Sequence, residues 1–247
     1  MVEPLRELNA LCQKPDYKTT GNWMVRTFLR DAALPATWLL LHTSISANQV
    51  TVLSLLIGCA GVFSLAVPGK GFFLLGAVLL QLWYYLDHVD GQIARYRKTN
   101  NLTGRFLDYL MHHVLHAALC FCAVFYVFSL TGQMFFAVWS FVGSLGIISF
   151  NMVPDVKYKT FFETVFTAPE AVAHRKQNPS APLRKTPSSM HRMFSFFHKA
   201  CEIHVMMNVF TMAALLQFFF AAPDLRVLLA VIYGVLTPLV AAVKIFY

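Results

Sequence analysis

Asp87, Asp90, Asp108 and His112 are the residues of this chain whose types and spacing could do chemistry. Asp87 and Asp90 are three apart and Asp108 and His112 four apart, and either interval puts both side chains on one helical face. Between the pairs lie Gly91, Ala94, Arg95 and Gly104, with the basic run Arg95-Tyr96-Arg97-Lys98 at the crossing. Three carboxylates brought together without buried partners repel one another. Divalent cations relieve that repulsion, and all-oxygen ligands suit Mg²⁺, Mn²⁺ or Ca²⁺. Arg95 is placed to grip a phosphate bidentately. Gly91 and Gly104 remove side chains where a ligand or a facing helix must come close. Apolar sequence flanks both pairs, and ionisable groups ending membrane-grade helices read first as a functional site. Metals, an arginine and a mouth at membrane level point to a pyrophosphate substrate and a lipid.

The elements that must position these groups are helices in a bilayer. The chain is 57% hydrophobic and only 13% charged, which excludes an ordinary soluble domain. Its apolar runs are long enough to cross a membrane, which takes roughly 20 helical residues. The expected architecture is an all-α integral membrane protein of six transmembrane helices, preceded by an N-terminal amphipathic interfacial helix. Residues 1–43 form a polar lead and that interfacial helix, over 22–34, where Met24, Val25, Phe28, Leu29 and Ala32 oppose Arg26, Arg30 and Asp31. Trp23 and Trp38 flank it, and Pro35 is expected to bend it. Residues 44–247 form the six-helix domain, with spans near 48–67, 72 into the motif, 104–130, 135–153, 202–221 and 225–247. The lead has no apolar run of the kind a cleaved signal peptide carries. Five cysteines show no metal or disulfide spacing and read as packing residues.

Charge orients the bundle. Of the 20 Lys and Arg, all but Lys70 and Arg226 fall in the N-terminal segment, the second-to-third crossing, the fourth-to-fifth loop or the C-terminal end. The positive-inside rule then puts both termini and the motif on the cytoplasmic side. The net charge of +8 suits an anionic leaflet, and with no basic groove or stacking platform a nucleic-acid partner is not expected. The long basic segment 154–201 reads as an exposed loop around its prolines, with short interfacial helices over 161–173 and 190–199. His113 and His116 read as packing or interfacial histidines, and Glu202 to His204 as a neighbourhood that could face the site.

The pattern Asp87-x2-Asp90-Gly91-x2-Ala94-Arg95-x8-Gly104-x3-Asp108-x3-His112 resembles the signature of the CDP-alcohol phosphotransferase superfamily, which ends in a fourth aspartate where this chain has His112. Ser46-Ala47-Asn48-Gln49-Val50-Thr51 resembles the segment that opens the family's first span. The resemblance implies transfer of a phospho-alcohol from a CDP-alcohol donor to a lipid or small-alcohol acceptor, with release of CMP. It implies two divalent metal ions, Mg²⁺ or Mn²⁺, held by Asp87, Asp90, Asp108 and, in the variant position, His112. Donor contacts fall on Asn48, Thr51, Asp90, Gly91, Ala94, Arg95 and Gly104. The fourth aspartate serves as metal ligand and general base, so His112 supplies both roles, one, or neither. Membrane lipids and a second copy in a homodimer are the other expected partners. The alternative is a non-catalytic family member that binds nucleotide or lipid.

Overall fold

The structure, a computed structural model, describes all residues except 1, 15–16, 20, 100–101, 168–188, 221–222 and 247. Among the described residues there are nine α-helices and no strand. A short helix α1 (Leu5–Cys12) precedes a π-helical turn at Val25–Leu29, which runs into α2 (Arg30–Leu41). The long helices are α3 (Ala47–Ala66), α4 (Lys70–Tyr96), α5 (Leu102–Thr131) and α6 (Met134–Thr167). Then come α7 (Ser189–Ala200), α8 (Ile203–Phe219) and α9 (Leu225–Phe246). Helices α3, α4, α5, α6 and α9 are each long and apolar enough to cross a membrane. The sixth expected span is α8, which qualifies only together with α7, from which it is bent by 66°. The chain is an all-α integral membrane protein.

Small residues set the tightest contact. Gly61 on α3 and Gly76 on α4 face each other so closely that a Cβ on Gly76 would stand 2.7 Å from the Gly61 carbonyl oxygen. Association of helices in lipid rests on such close approach, since tails compete for apolar surface. Trp83, Leu115, Leu119 and Phe210, all fully buried, fill the core between α4, α5 and α8. Gln81 on α4 donates to Asn208 and Thr211 on α8 at 3.0 and 2.9 Å, an interhelical polar tie. Ser46 caps α3 in a reciprocal capping box with Gln49.

Pro35 lies within α2 and does not end it. The helix passes through it, packed on α4 by hydrogen bonds from Tyr85 to the Ala32 carbonyl (3.0 Å) and from Thr37 to Gln92 (2.6 Å). That packing offsets the one i−4 bond proline forgoes. The polar lead contains α1, whose Leu8 and Cys12 are buried against Ala33, Val89 and Ile93. The expected separate helix at 161–173 is, as far as Thr167, the continuation of α6 past Pro154; the remainder, and the loop at 178–188, lie outside the described residues. Arg226 is no loop cation. It is fully buried, its guanidinium donating to the carbonyls of Val67 (2.8 Å) and Gly69 (3.3 Å) and to the Tyr126 hydroxyl (2.8 Å). Carbonyls freed where α3 ends need a donor, and a buried arginine supplies several.

Candidate active site

The two halves of the motif lie at the end of α4 and the start of α5, and both helices pack against α3. Arg97 anchors the crossing, donating to the carbonyls of Ile45 (2.5 Å) and Thr43 (2.8 Å) in the turn before α3. The α3 opening is thereby held beside the end of α4.

Asp87, Asp108 and His112 converge, each offering a ligand atom within 4.8 Å of the other two. His112 Nδ1 lies 3.0 Å from the Asp108 carbonyl oxygen and 3.2 Å from its Oδ1. With Nδ1–H donating there, Nε2 is the nitrogen left with a lone pair, and it stands 3.9 Å from Asp87 Oδ1. Trp83 packs edge-on against the ring, centroids 5.3 Å apart, and fixes its plane. A histidine whose second nitrogen is tethered to a carbonyl is the usual form of a metal-binding imidazole. Ligand atoms around one cation at roughly 2.0–2.2 Å stand up to about 4.4 Å apart, so this trio fits a divalent ion after a small closure.

Asp90 is not in that trio. One turn on from Asp87, its carboxylate turns toward α3 and accepts a hydrogen bond from the Thr51 hydroxyl at 2.5 Å. Asp90 and Thr51 are walls of a cavity of about 480 Å³ that also holds Asn48, Gly91, Arg95 and Asp108. Ala94 and Gly104 complete the same lining. All seven residues assigned to donor contact by resemblance therefore face one space. A smaller pocket of about 170 Å³ connects Asp87 to Asp90, Asp108 and Arg95. His112 lies outside both, on the wall of a third cavity of about 240 Å³.

Arg95 is held differently from the sequence expectation. Its Nε donates to the carbonyl of Cys12 at the end of α1, so a two-point grip falls to its Nη atoms. These lie beside Gly91, where an added Cβ would come within 3.2 Å of Nη1. The glycine leaves room for the guanidinium of its own helix, one turn on. Lys14, just past α1, lines both the donor-side cavity and the smaller pocket. Sequence reasoning missed it. The available signal was the spacing of Leu5, Leu8 and Cys12, which marks a helix with one apolar face and so a fixed position for the residue after it.

In a bundle of apolar helices, a carboxylate–histidine trio thus stands beside a cavity that holds an arginine, a candidate site for a metal and a phosphate. The model of the CDP-alcohol phosphatidyltransferase family matches residues 44–175, more than half of the 247 residues, and the chain belongs to that family. It is thus a member of a family of transferases of phosphate-containing groups. Among curated proteins none matches the chain.

Proposed function

We propose that this protein transfers a phospho-alcohol from a CDP-alcohol to a hydroxyl acceptor with release of CMP, in synthesis of a phospholipid or related phosphodiester. One observation carries the reading: the trio of Asp87, Asp108 and His112 directly adjoins the cavity formed by Asn48, Thr51, Asp90, Gly91 and Arg95. In this reading the large cavity takes the cytidine nucleotide, and the Arg95 Nη atoms and Lys14 meet the pyrophosphate. Asp87 and Asp108, with Asp90 beside them, would hold Mg²⁺ or Mn²⁺, two ions when the site is full. Bound there, the metal would neutralise charge developing on the phosphoryl oxygens. The acceptor oxygen forms a bond to the phosphorus that carries the alcohol, the anhydride bond to the cytidine-side phosphate breaks, and CMP leaves. Nε2 of His112 takes the acceptor's proton. A second use of that nitrogen, as ligand to the cation, is favoured by its 3.9 Å distance from Asp87 Oδ1. A single lone pair serves one use at a time. Both termini and the site face the cytoplasm in this proposal, because all but two of the 20 Lys and Arg belong to that side.

Purified protein in detergent, given Mg²⁺ or Mn²⁺ and a panel of CDP-alcohols and acceptors, should release CMP. Asp87→Asn, Asp90→Asn and Asp108→Asn should each abolish that release while the protein stays folded and monodisperse. Near-wild-type turnover in any two of them would sink the site assignment.

A further inference from the structure

The donor-side cavity does not account for the polar residues on the far side of His112. The third cavity lies between α5, α6 and the start of α8, and His112, His116, Asn151, Glu202 and His204 line it. It shares His112 with the trio, and neither of the other pockets reaches it. Asn151 on α6 lies 3.1 Å from the buried His116, and His204 is 3.1 Å from Glu202. Glu202 and His204 fall beyond residue 175, where the family match ends, so this wall is built by the chain's own C-terminal helices.

Its depth is set by the helices. Counting back from Thr131, the far end of α5, a hydrocarbon core of about 30 Å at 1.5 Å per residue reaches roughly position 111. Asp108 then lies just outside the apolar layer and His116 about 7.5 Å within it. Helix α8 gives the same level independently. Its 17 residues span about 26 Å, which brings Ile203 close to the boundary when Phe219 marks the opposite one.

Helix α7 marks that boundary from outside. It has no buried residue, presents Met190, Met193 and Phe196, and leaves α8 at 66°. An amphipathic helix so angled to a span lies along the membrane surface. The joint is pinned by Cys201, buried against Phe150, Val240 and Ala241. Glu202, the next residue, therefore stands where hydrocarbon meets head groups. So much polarity at that depth is costly unless a polar ligand shares it.

We propose that this cavity receives the hydroxyl end of a membrane lipid alcohol, and that this lipid is the acceptor. The inference rests on the transfer reaction proposed above and names its second substrate class. A hydroxyl held among Asn151, Glu202 and His204 approaches the trio from the membrane side, while the nucleotide occupies the water-facing side. His112, at the junction, receives the proton as the lipid oxygen bonds to phosphorus and CMP departs. Glu202 and His204 are positioning residues.

The test uses the full chain in nanodiscs with a diacylglycerol carrying a diazirine close to its glycerol end. Irradiation should label peptides around His112–His116 and the start of α8, and unlabelled diacylglycerol should compete. Filling the cavity by His204→Trp, or by Ile203→Trp should the first variant fold poorly, should cut labelling by about tenfold or more and raise the acceptor KM with the CDP-alcohol KM little changed. Asp87→Asn should stop CMP release yet keep the label, which separates the lipid site from the reaction. In parallel, CMP release should require diacylglycerol with CDP-choline or CDP-ethanolamine as donor. Release that instead requires glycerol 3-phosphate, inositol or serine with CDP-diacylglycerol, with no label in the cavity, would overturn the lipid assignment while leaving the transfer reaction intact. Labelling confined to the outer faces of α8 and α9, or unaffected by both tryptophans, would overturn it as well.

Discussion

Replacing His112 by alanine separates the two uses open to its nitrogen. Nδ1 is tethered to the Asp108 carbonyl at 3.0 Å, so the substitution removes one reactive nitrogen, Nε2, and leaves both carboxylates in place. A general base contributes roughly 10²–10⁴-fold in rate, about 2.7–5.4 kcal/mol at 1.36 kcal/mol per decade. His112→Ala should therefore lower kcat by at least about a hundredfold. The KM for the CDP-alcohol should change little, because no wall of the donor-side cavity is touched. His112→Asp puts a hard, charged oxygen where a neutral imidazole stood. Part of the rate should return and the preference should move from Mn²⁺ toward Mg²⁺. Free imidazole loses its basicity below about pH 6.5 and a carboxylate below about pH 3.9, so the acidic limb of the rate profile should move down in His112→Asp. The assay is CMP release in detergent between about pH 5 and 9 with each metal in turn. Full CMP release by His112→Ala with unchanged metal preference would show that His112 has no part in the reaction.

Two further outcomes test the scaffold. Gly76→Ala should destabilise the bundle by about 1–3 kcal/mol, since its Cβ would stand 2.7 Å from the Gly61 oxygen and 2.8 Å from Leu65; a thermal melt in detergent that matches wild type would refute the close α3–α4 approach. Lys70→Cys and Lys98→Cys should be labelled by a membrane-impermeant maleimide from opposite sides in sealed vesicles. The native cysteines are buried, Cys59 only partly, so the background is low, and labelling of both positions from one side would overturn the topology.

The chain alone made legible the membrane class and the pairing of Asp108 with His112. Asp108 and His112 meet because four residues make one turn, and the membrane class follows from helices long enough to span about 30 Å. The placing of Asn48 and Thr51 opposite Gly91 and Arg95 was legible only by resemblance to a family pattern. The tertiary structure decided which neighbour each polar group faces. Asp90, one turn from Asp87, leaves its partner for the Thr51 hydroxyl because α3 packs against that side of α4. Arg95 meets the Cys12 carbonyl, Arg226 caps carbonyls at the end of α3, and Glu202 joins His112 around one cavity. Arg95 and Cys12 are 83 positions apart and Arg226 and Val67 159. Periodicity records only which side of its own helix a residue occupies; what stands opposite is settled when the helices pack and buried polar groups must find partners.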